Sequence, residues 1–546
     1  MANAKQTASE QFDAIIIGGG MSGMYQLLRL REMGLSVKVY EVGSDVGGTW
    51  YWNRYPGCRF DSESYTYGFS FSEELLQEWD WSEHYAGQPE TLEYLNHVAD
   101  KFDLRKDIQF DTRVTAATYD EAANIWEVET EAGEHAHAPI LITAVGPLSE
   151  PIMPRIDGID SFEGDWFHTG LAPHAKEGYG GKFTEFSGMR VGVIGTGASG
   201  VQTIAEVALT VDQLYVFQQK PEWCAPLVNS KIDADSMEKI KASYPEIFKK
   251  CGEGFVNFLH TFDERSALEV SDEEREAFFE KLYGEPGFGI WLGCYKDILF
   301  DQKANDLLSD FIRRKTRERI NDPELAEKLL PTDYGFGTRR VPLETNYYEA
   351  YNQDNVHLID VGGKTPITRI TPKGVLVGDT EYELDLIIYA TGFDAVTGAF
   401  NRIDIRGKSG VKLKDEWADG PQTYLGMQTP GFPNMFTLVG PQNGSTFCNI
   451  PLCIEQNVEW LIDLIKHMRK NGIKTVEATK EAAKAWSENV DELAAATLLP
   501  QATSWFKGDN VPGKAGKFLL YAGGFPTFRA KCDEVEKKGY EGFVLK

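Results

Sequence analysis

Short apolar runs that end on glycine set the pattern of this chain. Ile15-Ile16-Ile17, preceded by Asp13, reads as a strand buried on both faces of a parallel sheet. It runs into Gly18-Gly19-Gly20-Met21-Ser22-Gly23, after which Met24, Leu27 and Leu28 fall on one face of a helix. Lys38-Val39-Tyr40 reads as the next strand. The same order returns downstream. Val191 to Ile194 is a strand, Gly195-Thr196-Gly197-Ala198-Ser199-Gly200 a turn, and Ile204, Val207 and Ala208 share a helix face before a strand at Leu214 to Phe217. Other buried strands close on Gly146, Gly392 and Gly440. The pattern predicts an α/β chain with two doubly wound parallel sheets.

Other stretches fill in around these units. Residues 90–100 and Ser72 to Trp79 read as helices, and 108–115 and 124–130 alternate as a β-meander would. Strands are predicted at Val356 to Ile359, 374–377 and Tyr382 to Tyr389. Pro151, Pro154 and Gly158 suggest a crossing between domains. Residues 230–330 hold long charged amphipathic stretches, such as Asp272 to Leu282 and Leu307 to Arg319, and predict a helical insertion over a crevice. Glu455 to Met468 reads as an amphipathic helix packed on the first unit.

Both glycine turns fill the G-x-G-x-x-G pattern. The first glycine allows the tight turn, the second lets backbone approach a pyrophosphate, and the third packs helix on strand. The N–H groups and dipole of the following helix then face the phosphates. Candidate contacts are Gly18, Gly20, Met21, Ser22 and Gly23 in the first turn, and Gly195 through Gly200 in the second. The strand ends differ. Glu41 closes the first unit, where a carboxylate accepts from ribose hydroxyls and repels a 2′-phosphate. Gln218-Gln219-Lys220 closes the second, with no acid and one cation, which favours NADP over NAD. The combination implies FAD in the first unit, NADPH in the second, and hydride transfer between them. Gly47-Gly48-Thr49-Trp50 and the aromatic run through Tyr55 read as an ordered loop against a large planar ligand. The predicted limits are an FAD-binding domain at 1–147 and 385–546, an NADP-binding domain at 148–228 and 331–384, and the insertion at 229–330.

Composition narrows the function classes. With 546 residues, 42% apolar, there is ample material for several cores. A net charge of −28 argues against a nucleic-acid partner and gives no hint of an anionic membrane surface. No run of about 18 apolar residues occurs, and Met1 to Gln11 is polar, so the expectation is a cytoplasmic protein without a membrane span or signal peptide. The seven cysteines lack metal-site or C-x-x-C spacing, so no metal is expected and the thiols are predicted buried and free.

Taken together, the turn at 18–23, Gly-Gly-Thr-Trp at 47–50, the turn at 195–200, Ala-Thr-Gly at 390–392 and Phe162-Glu-Gly-Asp-Trp-Phe-His168 resemble the type I Baeyer–Villiger monooxygenases, which are class B flavoprotein monooxygenases. The resemblance runs from about residue 12 to the end. It implies two Rossmann-like domains of the glutathione-reductase type, FAD and NADPH as cofactors, and conversion of a ketone and dioxygen to an ester or lactone through a C4a-peroxyflavin, with sulfoxidation as a side activity. By resemblance Arg340 is the cation beside the activated oxygen, Asp61 the carboxylate that contacts it, and His168 the linker histidine of the signature. Arg339 and Lys220 would meet the 2′-phosphate. Thr391 and Gly392 would line the cofactor, and Trp505 would close over NADP and substrate. Ser445, Thr446 and Phe447 are substrate-pocket candidates. Three departures stand out: Ala172 where the signature has Trp, Gln219-Lys220 where the family usually has Arg-Thr, and Pro147. An N- or S-oxygenating flavin enzyme and an uncoupled NADPH oxidase stay open as alternatives. The oligomeric expectation is a monomer or weak oligomer.

Overall fold

The computed structural model describes residues 10–171, 186–444 and 448–546. Two five-stranded parallel sheets organise them. In the first, Ala14–Ile17 lies between Ile140–Thr143 and Val37–Tyr40, with Met435–Thr437 and Ile108–Gln109 at the edges. In the second, Arg190–Ile194 lies between Gln213–Gln218 and Leu386–Tyr389, with Val356–Asp360 and Asp165–His168 outside them. Both central strands are covered on both faces. Ala14 and Ile16 pack into one core while Ile15 and Ile17 pack into another. Val191 and Val193 likewise face away from Ile194. Each fully buried isoleucine contributes about 1.5–3 kcal/mol, which explains why such short strands hold their place.

The structure adjusts several predicted elements. The 108–115 run is divided: Ile108–Gln109 joins the first sheet, and the meander is built from Val114–Asp120, Ile125–Thr130 and His135–Ala138. The run Tyr382 to Tyr389 is also divided. Thr380–Glu383 belongs to a small antiparallel sheet, while Leu386–Tyr389 pairs with Arg190–Ile194 and so extends the second sheet past residue 385. Glu73–Glu78 and Gln88–Lys101 are helices, the former capped by Ser72 Oγ, which accepts from Leu75 N at 3.2 Å.

Residues 230–330 are helical, with Asp272–Gly284 and Gln302–Arg319 as the long members. Ser271 and Asp301 cap them. Ile450–Asn471 packs against Met21–Glu32 of the first unit. No helix among the described residues is long and apolar enough to cross a membrane. One cysteine expectation fails. Cys448 and Cys453 meet around the start of the 450–471 helix and are joined in a disulfide, while the other five are free and buried.

Candidate active site

The two glycine turns have one construction. Gly18 and Gly195 adopt φ of 111° and 110°, open only to glycine at low cost. A Cβ on Gly18 would lie 2.3 Å from the Ala144 carbonyl oxygen, and one on Gly195 2.4 Å from that of Ala390. The third glycine of each set, Gly23 or Gly200, would press a Cβ to 1.9 or 2.3 Å from the carbonyl of the first. Gly20 and Gly197 cap their helices with no side chain over the N-terminus, so the first-turn N–H groups are open to phosphate. Opposite Gly20 stands Gly48, whose added Cβ would be 2.8 Å from the Gly20 Cα. Met21 and Ser22 are buried in the helix start, and Thr49 is exposed.

Glu41 stands beside the first turn. Its carboxylate is buried and accepts from Gly19 N at 2.6 Å and Gly43 N at 2.7 Å. Burial pushes its pKa up, and these backbone donors oppose the shift. Trp50 is buried edge-on between Phe60 and Tyr67, with ring centroids 5.6 Å from each, so the aromatic loop is anchored as part of the core.

The loop continues across to the second unit. Tyr55 packs against the cores of both. Its hydroxyl donates to Gln202 Oε1 at 2.8 Å, and Gln202 Nε2 donates to the Arg59 carbonyl at 3.1 Å. Gly57 touches the same helix, because a Cβ there would lie 2.6 Å from the Gln202 carbonyl. Two residues beyond Arg59 the loop presents Asp61, 3% exposed, whose Oδ2 lies 2.6 Å from Arg340 Nη1 and accepts from Leu343 N. Asp61 Oδ1 is buried with no partner among the described residues. Arg340 is about one-third exposed and otherwise donates only to the Val341 carbonyl among the described residues, so guanidinium donors stay open.

The loop that carries Arg340 is fixed by the helical insertion. Ser309 Oγ accepts from Phe336 N at 2.9 Å, and Asn305 Nδ2 donates to the Phe336 carbonyl at 2.8 Å. Arg339 leaves the same loop in another direction. Its guanidinium donates to the Thr503 carbonyl, stacks on Tyr334 at 4.5 Å and lies 3.9 Å from Glu222 Oε2. Lys220 Nζ is 2.6 Å from Asp333 Oδ2. The predicted pair of 2′-phosphate cations is therefore engaged by carboxylates and a backbone carbonyl. Burial pushes Glu222 up to about 7 against the pull of Arg339. Thr196 Oγ1 donates to the Lys220 carbonyl, and Ser199 Oγ lies 3.1 Å from Thr169 Oγ1.

His168 ends the edge strand Asp165–His168 and pairs with Tyr389, just before Thr391 and Gly392. It is 1% exposed, and its Nδ1 accepts from Gly170 N at 2.9 Å. Burial lowers its pKa to about 4, with the Gly392 backbone opposing, so the ring is neutral at ordinary pH. Phe393 stands edge-on to it at 5.8 Å and accepts through its carbonyl from Asn510 Nδ2. Thr391 Oγ1 donates to the Ile152 carbonyl at 2.5 Å. Trp505 is half-buried in the segment that also supplies the Thr503 carbonyl. Ala172, Ser445, Thr446 and Phe447 lie outside the described residues.

The flavin-binding monooxygenase-like family model matches residues 13–233. A 2-oxo-Δ(3)-4,5,5-trimethylcyclopentenylacetyl-CoA monooxygenase of Pseudomonas putida is 48% identical over 99% of this chain and 100% of its own. A Baeyer–Villiger monooxygenase of Pseudooceanicola batsensis is 42% identical over 99% of this chain and 97% of its own. The chain belongs to the type I Baeyer–Villiger monooxygenases. Among solved members, OTEMO in complex with FAD and NADP superposes with a TM-score of 0.95 at 48% identity, covering 98% of this chain and 100% of the other. The closed structure of cyclohexanone monooxygenase gives 0.94 at 41% identity, covering 99% of this chain and 100% of the other.

Within this Baeyer–Villiger monooxygenase, the sequence pattern anticipated the strand, turn and helix of both glycine units and named Glu41 and the Arg340 loop as candidates. It missed Gln202, Glu222, Asp333, Asn305 and Ser309. All five meet partners far away along the chain, and none sits in a motif.

Proposed function

We propose that this chain uses FAD and NADPH to insert one atom of dioxygen beside the carbonyl of a ketone, giving an ester or lactone and water. The observation that carries the reading is the Arg340–Asp61 pair, 2.6 Å apart. It holds a permanent cation beside the loop that links the two nucleotide folds. Bound FAD, once reduced by NADPH, supplies the activated oxygen. The protein's part is to hold, orient and stabilise charge. Gly18, Gly20, Gly23, Gly48 and Glu41 hold the flavin nucleotide, while Gly195 to Gly200, Lys220 and Arg339 hold the nicotinamide nucleotide. Arg340 stabilises negative charge that develops on oxygen, and it stays protonated even when covered. Asp61, fixed by Leu343 N, sets the direction of the guanidinium. His168, neutral and buried, positions the segment at Thr391–Gly392. Trp505 closes the site. We place the domain limits as the sequence predicts, except that the second unit keeps the strand through Tyr389, and we expect a cytoplasmic monomer or weak oligomer.

The reading is tested by supplying acetone, cyclopentanone and cyclohexanone beside a thioether and a tertiary amine, with product analysis. Ester or lactone formation coupled to NADPH use supports it; oxygenation confined to sulfur or nitrogen overturns it. Arg340→Ala should retain FAD and its reduction by NADPH, and lose ester formation by roughly 100-fold or more, about 3 kcal/mol of barrier.

A further inference from the structure

The two cations that the sequence assigns to the 2′-phosphate, Lys220 and Arg339, do not stand alone. Lys220 Nζ is 2.6 Å from Asp333 Oδ2, and each side chain is about half exposed. Arg339 is 3.9 Å from Glu222, which is largely buried, and is also bound to the Thr503 carbonyl. Glu222 is held by two further donors: Tyr334 Oη at 2.5 Å and Trp223 N at 3.3 Å. Two positive groups are thus offset by two carboxyl groups. A 2′-phosphate carries close to two negative charges, whereas the 2′-hydroxyl of NADH carries none. The energetic difference between these coenzymes is therefore set largely by net charge around the 2′ position. A carboxylate that pairs with a cation there also repels the phosphate.

We propose that Asp333 and Glu222 are specificity-determining residues that weaken discrimination for NADPH over NADH by offsetting Lys220 and Arg339. The proposal rests on the reading that the second turn binds NADPH. Neither residue touches the reacting atoms. Asp333 acts from the surface, where its pair with Lys220 opens at small cost but its charge persists. Glu222 acts from a largely buried position, 3.9 Å from the Arg339 guanidinium. Removing the Asp333 charge, or the ionised fraction of Glu222, leaves Lys220 or Arg339 less opposed.

The test uses the FAD-loaded enzyme and two probes, adenosine 2′,5′-bisphosphate and 5′-AMP, with binding measured by calorimetry at constant ionic strength. Asp333→Asn should tighten the bisphosphate by roughly five-fold and leave 5′-AMP unchanged, as expected for one screened charge beside a dianion. Glu222→Gln, which keeps the shape and one acceptor oxygen for Tyr334 and Trp223, should act in the same direction. The NADPH to NADH ratio of flavin-reduction efficiency should rise in each variant, and by more in Asp333→Asn, whose parent residue is fully ionised at neutral pH. Bisphosphate affinity that is unchanged or weaker in either variant overturns the proposal for that residue, as does equal tightening of the two probes. Failure of the underlying reading looks different: neither NADPH nor NADH would reduce the flavin of the unaltered enzyme.

Discussion

Gly23 has no room for a side chain, since a Cβ would meet the Gly18 carbonyl at 1.9 Å. Gly23→Ala must push the 21–32 helix away from its strand, a change that costs ~1–3 kcal/mol in a packed core. Purified Gly23→Ala protein should carry far less flavin than the parent, read from its visible absorbance. His168 makes a second prediction. Its pKa is lowered from 6.5 to about 4, so the unfolded chain binds its proton more readily than the folded one. The stability that follows from the buried neutral ring is present above pH 6.5 and declines as the pH falls toward 4. His168→Gln should therefore flatten the acid limb of the melting-temperature profile. Its effect on turnover should be the same factor at about pH 6 and about pH 8.5, because the ring does not change charge between them. Single residues were most legible where the backbone demanded them. Gly18, Gly23, Gly195 and Gly200 could be named from spacing because no other residue fits those turns. Glu222 and Asp333 could not, because their meaning comes from Arg339 and Lys220 reaching them across more than a hundred residues.

At the scale of elements, the Ile450–Asn471 helix shows how a periodic stretch acquires a job that its pattern does not state. Its apolar face packs on the first unit, as the sequence predicts. From the same helix Glu455 accepts from Ser70 N at 2.6 Å, Phe71 N at 3.2 Å and the Ser70 hydroxyl, pinning the 70–71 loop. Burial pushes this carboxyl up to about 7 from 4.5, with the Ser70 and Phe71 donors opposing. Here the folded chain binds the proton more tightly than the unfolded one. The contribution is complete below pH 4.5 and is lost as the pH rises through about 7, opposite in sign to His168. Glu455→Gln should remove that loss, so melting temperature falls less between about pH 5 and pH 8 in the variant than in the parent. An unchanged slope would mean that Glu455 does not titrate in this range. The insertion helices were legible as helices from their charged, amphipathic pattern. That Gln302–Arg319 holds the Arg340 loop through Asn305 and Ser309 was not, because two polar residues in a helix carry no sign of what lies above them.

For the molecule as a whole, the two nucleotide folds were legible because each repeats one local grammar of strand, turn and helix. Their joining was not, since it depends on single side chains that lie in different units and in no shared motif. Gln202 is the clearest joint, accepting from Tyr55 and donating to the Arg59 carbonyl. Gln202→Ala removes these bonds and a longer one from Arg59 N at 3.4 Å, at a cost of about 1–3 kcal/mol. The variant should fold and hold FAD, yet show a raised KM for NADPH and more NADPH consumed without product, measured by comparing coenzyme use with ester formed.

The floors of the two turns carry a related consequence. The carbonyls that close under Gly18 and Gly195 belong to Ala144 and Ala390. These alanines are also where the chain leaves each sheet, toward the strands Asp165–His168 and Asp404–Arg406. The peptide that floors each glycine turn is thus also the root of the segment that leaves its sheet. A substitution that displaces Ala144 or Ala390 would therefore disturb the glycine turn and the outgoing connection together, and neither could be altered without the other.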